Sequence, residues 1–276
     1  MTTPRKMLAQ AGLSPKKRFG QNFLQNENAA LKIARLAVDD AVAGMRTLEI
    51  GAGTGALTQA LLECGADVTA LEIDRDLVAM LRSREDLHGA TIVEADALEF
   101  DYRAWAAHAP WIATGNLPYN IATPLMLRLI EMEGGPGSLT VMVQRDVAER
   151  ITAAPGTPAY GSLSVAVQFA MQARIEFTLA PGSFFPSPKV DSSVVRLVRR
   201  ASPLVEPRDL PVFWKVVRGA FAYRRKTLAN SLALALDLDR ARIVRAIEST
   251  NLSPELRGER LDLGDFARLA DALAEE

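Results

Sequence analysis

One octapeptide constrains the fold more than any other segment of the chain. Leu48-Glu49-Ile50-Gly51-Ala52-Gly53-Thr54-Gly55 joins a short apolar run to a turn with three glycines. Glycine adopts positive φ at little cost and lets a ligand approach the backbone closely. Helical spacing follows over 57–64, and Gly65 is placed to end that helix. Strand, tight turn and helix form a unit that buries itself against a parallel sheet. The pattern then recurs. Strands are predicted at 47–50, 67–73, 91–94, 111–114 and 139–144, and helices at 28–38, 57–64, 76–83, 123–131 and 146–152. Asn26 and Pro124 suit the starts of two of these helices. Residues 162–171 read as a buried helix, while 174–179 and 193–198 alternate as late strands. Beyond Pro203 every periodic segment is helical: 210–222, 227–236, 240–249 and 263–273. The expected architecture is α/β. A basic arm covers 1–25, a Rossmann-like domain with a doubly wound parallel sheet covers 26–202, and a small all-helical C-terminal domain covers 203–276.

Composition narrows the class. A chain of 276 residues, 49% hydrophobic and 24% charged, can build a full core without a staple. Its lone cysteine, Cys64, excludes a disulfide scaffold, and with only His88 and His108 beside it no metal site is expected. No apolar run has the length of a membrane span, and the basic N-terminus has no apolar stretch after it. A cytoplasmic protein without membrane contact is expected. The net charge of −1 conceals a segregation. Residues 1–20 carry five bases and no acid, and 47–101 hold twelve acids against three arginines. Residues 189–230 hold ten bases against three acids. Two basic blocks flanking an acidic one suit a protein that follows a phosphate backbone.

The glycine turn leaves the cofactor open. Glu72 closes the next strand, 21 residues after Gly51, where a carboxylate can accept both hydroxyls of a ribose. Asp96 follows the third strand and can reach an adenine edge. A nicotinamide dinucleotide and S-adenosylmethionine both meet these requirements. Asn116-Leu117-Pro118-Tyr119, after the fourth strand, points to the chemistry. The exocyclic amine of adenine is a poor nucleophile because its lone pair is delocalised into the ring. Two acceptors on its two hydrogens draw the nitrogen toward tetrahedral geometry. The Asn116 side-chain oxygen can be one acceptor, and the Leu117 or Pro118 carbonyl the other. Tyr119 can stack on the base. A nicotinamide enzyme has no use for this loop.

In these segments the chain resembles the KsgA/RsmA-type rRNA adenine dimethyltransferases. The resemblance rests on several ordered motifs: residues 17–24 (KRFGQNFL), 48–55, 115–120 (GNLPYN), 160–164 (YGSLS), 185–192 (FPSPKVDS) and 221–227 (FAYRRKT). It implies a methyltransferase that uses S-adenosylmethionine to dimethylate N6 of two adjacent adenosines near the 3′ end of small-subunit rRNA. A role in ribosome biogenesis comes with it. Asn22, Leu24, Gly51, Gly53, Glu72, Asp96 and Asn116 would then contact the cofactor. Asn116, Leu117, Pro118, Tyr119 and Phe184 would hold the target base. Lys17, Arg18, Arg224, Arg225 and Lys226 would contact RNA. The expected partner is small-subunit rRNA or a pre-30S particle, met by a monomer. Two other readings stand beside this one: a large-subunit adenine methyltransferase that confers antibiotic resistance, and a non-catalytic RNA-binding assembly factor. Cys64, Trp105 and Trp111 read as packing residues, and Asp74 and Asp76 as helix caps.

Overall fold

The alternation of strand and helix is realised as a seven-stranded sheet in the order β4-β3-β2-β5-β6-β9-β7. The computed structural model describes residues 3–39, 45–223 and 225–275. The chain runs α1 (Pro4–Gln10), β1 (Phe23–Leu24), α2 (Glu27–Val38), β2 (Arg46–Ile50), α3 (Ala56–Glu63), β3 (Asp67–Glu72), α4 (Arg75–Arg82), β4 (Thr91–Glu94) and α5 (Tyr102–Ala106). It continues through β5 (Trp111–Asn116), α6 (Ala122–Glu131), β6 (Ser138–Gln144), α7 (Arg145–Ile151), α8 (Ser162–Ala170), β7 (Met171–Leu179), β8 (Phe184–Phe185) and β9 (Ser192–Arg199). It ends in α9 (Leu210–Ala222), α10 (Leu228–Leu236), α11 (Arg240–Ser249) and α12 (Leu263–Glu275).

Strands β2 to β6 are mutually parallel, so their carboxyl ends share one edge of the sheet. The central strands β5 and β6 are buried along nearly their whole length, as near-continuous apolar runs require. The polar residues among them are satisfied locally: the Thr114 hydroxyl donates to the Thr140 carbonyl at 2.7 Å. Caps fall where the residue types place them. Asn26 accepts from the Ala29 N–H at 3.0 Å, and Asp74 accepts from the Asp76 N–H at 3.2 Å. Asp76 itself lies in the first turn of α4 rather than at its cap. Trp111 is buried and stacks on Tyr102 with ring centroids 5.8 Å apart, while Trp105 meets it edge-on at 5.5 Å. Cys64 caps α3 and packs, partly buried, against the core.

Two expectations are corrected. The sheet is not parallel throughout, because β9 runs antiparallel to β6, pairing Ser138 with Val198 and Gln144 with Ser192. β9 follows its other neighbour β7 without a helical crossover, so nothing obliges it to enter from the common end. The arm, whose sequence shows no clear periodicity, still contains regular structure. Pro4–Gln10 is helical, and Leu8 packs in one cluster with Phe23 and Leu77. The domain boundary is not a single cut near residue 203. One unit comprises Met1–Ala148 and Ala173–Arg199, the other Glu149–Gln172 and Arg200–Glu276. The α8 helix is apolar on most faces and needs cover all round. Its Phe169 packs against Phe213 and Trp214 of α9 at 5.2 and 5.1 Å, and so joins the helical unit.

Candidate active site

The glycine turn lies at the carboxyl end of β2. Gly51, Gly53 and Gly55 all take positive φ, 79°, 58° and 82°. A Cβ on Gly55 would stand 2.7 Å from the Leu87 side chain and 2.9 Å from that of Leu81, so only glycine fits there. The turn is anchored by the Gly51 and Ala52 N–H groups, which donate to the Leu71 carbonyl at 2.9 and 3.0 Å. Glu72 ends β3 beside it and is 6% exposed. One carboxylate oxygen accepts the Gly53 N–H at 2.8 Å and the other the Asp74 N–H at 2.9 Å. Burial raises the Glu72 carboxyl above its ordinary range, and these two N–H groups partly oppose the rise. The side chain is thus fixed in place while lone pairs on both oxygens stay free for further donors.

Asn116 closes β5 across the same cleft. Its side-chain NH2 donates to the Asn22 carbonyl at 2.7 Å, which fixes the amide orientation and leaves the Oδ1 acceptor without a donor among the described residues. The Leu117 N–H donates to the Met142 carbonyl at 3.0 Å. The Ile121 and Ala122 N–H groups both donate to the Pro118 carbonyl at 3.1 Å, whereas the Leu117 carbonyl takes no backbone donor among the described residues. Of the two carbonyls the sequence leaves open, Leu117 is therefore the one available. Tyr119 is half-buried. Its hydroxyl lies 3.1 Å from that of Ser192, and burial pushes its ionisation up. Gly115 precedes this loop because a Cβ there would lie 2.4 Å from the Ile50 carbonyl oxygen.

The cleft brings together most of the expected residues. Asn22, Leu24, Gly51, Gly53, Glu72, Asp96, Asn116, Leu117, Pro118 and Tyr119 all line it. Phe184 does not. It is 2% exposed, pairs with Leu24 between β8 and β1, and packs in the core beside Leu24 and Met142. The base-pocket role implied for it by resemblance is corrected to a packing role in this structure, since β-pairing turns its ring into the core. Arg18 lines the cleft with its guanidinium 4.6 Å from the Phe19 ring centroid, and Lys17 is exposed beside it. Arg225 and Lys226 are exposed in the turn before α10, and Arg224 lies outside the described residues.

Sequence reasoning missed two features. The first is a latch on the arm. The Lys16 ammonium bridges Asp74 at 2.5 Å and Asp76 at 2.6 Å, and the Gln21 amide donates to Asp74 at 2.9 Å. Burial alone would raise the Asp74 carboxyl, but Lys16 and Gln21 outweigh it and hold it low. Lys16 gives no periodic signal, and only the folded arm puts it near α4. The second is Glu49, 1% exposed beneath the turn, whose Oε2 accepts the Thr58 hydroxyl at 2.6 Å. Burial pushes its carboxyl up to about 7, with Thr58 opposing and Glu72 adding to the rise. Its place inside the glycine octapeptide was the available signal. The folded pKa exceeds the unfolded one, about 4.3. The contribution of this group to stability is therefore complete below pH 4 and lost as pH rises through 7. Charging Glu49 costs on the order of 3–4 kcal/mol by pH 8. Glu49→Gln is expected to remove much of the fall in Tm of the free protein between pH 5 and 8. Parallel Tm profiles for variant and parent would sink this assignment.

The described residues include no cluster of ligands able to hold a metal, and no helix long and apolar enough to cross a membrane. A sheet with five parallel strands, a glycine turn over a buried acid and an Asn-Leu-Pro-Tyr loop at its carboxyl edge define an S-adenosylmethionine-dependent methyltransferase. Residues 12–275 match the family model for ribosomal RNA adenine dimethylase, and the chain belongs to that family. It is 42% identical to the ribosomal RNA small subunit methyltransferase A of Streptococcus sanguinis strain SK36, over 99% of this chain and 96% of the relative. Among solved structures, a dimethyladenosine transferase from Plasmodium falciparum superposes with TM-score 0.72 at 25% identity, covering 90% of this chain and 95% of that one. The 23S rRNA methyltransferase ErmE superposes with TM-score 0.65 at 25% identity, covering 92% and 100%.

Proposed function

We propose that this chain methylates N6 of two adjacent adenosines in the 3′-terminal helix of small-subunit rRNA, placing two methyl groups on each. The observation that carries the reading is the pair of unspent acceptors, Asn116 Oδ1 and the Leu117 carbonyl, beside a glycine turn. Glu72 accepts the ribose hydroxyls of S-adenosylmethionine, and Asp96 accepts from its adenine amine. Gly51 and Gly53 let the backbone come close, and Asn22 and Leu24 cover the group from the arm. The site fits an adenosyl group on its donor set: a fixed buried carboxylate, a turn free of side chains and an apolar wall. When bound, S-adenosylmethionine supplies an activated methyl group.

At the first transfer Asn116 and Leu117 accept the two N6 hydrogens of the target adenosine and release its lone pair for attack, and at the second the one remaining N–H donates to one of them. Tyr119 stacks on the base, which leaves its helix to enter. The alkylated amine is acidic and loses its proton without a strong protein base. Preorganised acceptors and positioning carry the rate. Lys17, Arg18, Arg224, Arg225 and Lys226 contact phosphates. Replacing Arg224, Arg225 and Lys226 together is expected to weaken RNA binding and lower the slope of log K against log[salt] by about 2 to 3. An unchanged slope would remove them from the interface. The reading extends to a monomer acting in the cytoplasm on a pre-30S particle.

The likeness to ErmE favours a second reading, a large-subunit adenosine. Similarity over nearly the whole chain to a small-subunit methyltransferase supports the first. Labelled methyl transfer to small and large subunits lacking their native adenine methylation separates the two. Dimethyladenosine in the small subunit alone is the expected product. Label in the large subunit would replace the reading, and label in neither, with the cofactor bound, would make the chain a binding factor.

A further inference from the structure

The loop that carries Asp96 is built around a side chain from another part of the fold. Arg128 stands on α6, the helix that begins directly after the Asn116–Tyr119 loop and whose first N–H groups hold the Pro118 carbonyl. The Arg128 guanidinium donates to the Ala97 carbonyl at 3.4 Å, to that of Phe100 at 2.9 Å, and to that of Leu98 between them. It also lies 5.1 Å from the Tyr102 ring centroid, and the Tyr102 hydroxyl donates to the same Ala97 carbonyl at 2.6 Å. The carbonyls converge because the loop turns tightly on Asp96. The Glu99 and Phe100 N–H groups both donate to the Asp96 carbonyl, at 3.0 and 2.9 Å. Asp96 Oδ1 accepts the Leu98 N–H at 2.8 Å, which sets the carboxylate against the cleft. Converging carbonyls repel one another unless donors meet them. A guanidinium meets three at once with a rigid planar fork, and an ammonium on a flexible stem does not.

We infer that Arg128 is a positioning residue for adenine recognition. It fixes the 95–100 loop so that the second Asp96 oxygen meets the adenine amine of the cofactor. Standing on α6, it ties that subsite to the loop that holds the target base. This rests on the role of Asp96 proposed above.

The test compares S-adenosylhomocysteine with S-inosylhomocysteine, in which a carbonyl replaces the adenine amine, by calorimetry. The parent is expected to prefer the adenosyl compound by about tenfold or more. Arg128→Met is expected to compress that preference to about twofold. Arg128→Met in an Asp96→Asn background is expected to compress it no further than Asp96→Asn alone. Arg128→Lys, which keeps charge and stem but lacks the fork, tests the same point if the methionine variant fails to fold. A uniform fall in both affinities with the preference intact would overturn the inference and leave Arg128 a packing residue. Asp96→Asn with an undiminished preference would overturn the Asp96 reading itself.

Discussion

Asn116→Ala is expected to lose methyl transfer while keeping much of its RNA affinity. The Asn116 side chain ends β5, and its NH2 is spent on the Asn22 carbonyl, so in the proposed reading Oδ1 is the atom left for the base. That acceptor matters most when the amine approaches tetrahedral geometry, because the N–H bonds become more polar as the lone pair is released. Its loss therefore falls on kcat rather than on substrate binding. Removing one preorganised hydrogen-bonding group at a reacting centre costs about 10²–10³ in kcat, or 3–4 kcal/mol. Asn116→Asp separates geometry from polarity. It keeps an acceptor but places a carboxylate oxygen against the Asn22 carbonyl, a repulsion that also swings the arm. The measurement is single-turnover methylation with RNA affinity followed in parallel. Near-parental rates for the alanine variant would refute the role assigned to Asn116.

Glu72→Ala is expected to abolish useful cofactor binding and to lower stability. Both effects follow from where the carboxylate stands. Its two oxygens hold the Gly53 and Asp74 N–H groups, at 2.8 and 2.9 Å, and truncation orphans both donors in a site from which water is largely excluded. Each orphaned group costs about 1–3 kcal/mol. The lost bonds to ribose hydroxyls add a fall of about 10²–10⁴ in cofactor affinity. Glu72→Gln keeps volume but turns an amide NH2 toward one of those N–H groups, so it is expected to fall between parent and alanine. Calorimetric titration with S-adenosylhomocysteine and a thermal melt read the two effects separately. Because burial raises the Glu72 carboxyl, cofactor affinity is also expected to decline with acid at higher pH than an ordinary glutamate dictates. An alanine variant that binds at parental affinity would remove Glu72 from the site.

Much of the fold was legible because its signals are local. The α9 and α11 helices fall on the predicted residues, and most other elements within one or two. Their periodicity, caps and glycine stops are written in neighbouring residues. The elements that were missed lack such signals. α5 is five residues long, and the β1–β8 pair joins Phe23 to Phe185 across the chain with two residues from each side. The assignment of 149–172 to the helical unit was likewise invisible, because an apolar segment announces that it is buried but not against what.

The same division runs through the site. The glycine turn, Glu72, Asp96 and Asn116-Leu117-Pro118-Tyr119 were readable because a parallel sheet brings the carboxyl ends of its strands to one edge, wherever they lie in the chain. The sequence by itself thus determined the fold class and which residues meet at the carboxyl edge of the sheet. Only the tertiary structure decided which carbonyl is free, that Phe184 faces the core, that Lys16 latches the arm to Asp74, and that Arg128 braces the Asp96 loop. Residue type and spacing report what a side chain can do. Which partner it meets depends on contacts between residues tens of positions apart, set by packing rather than by local propensity.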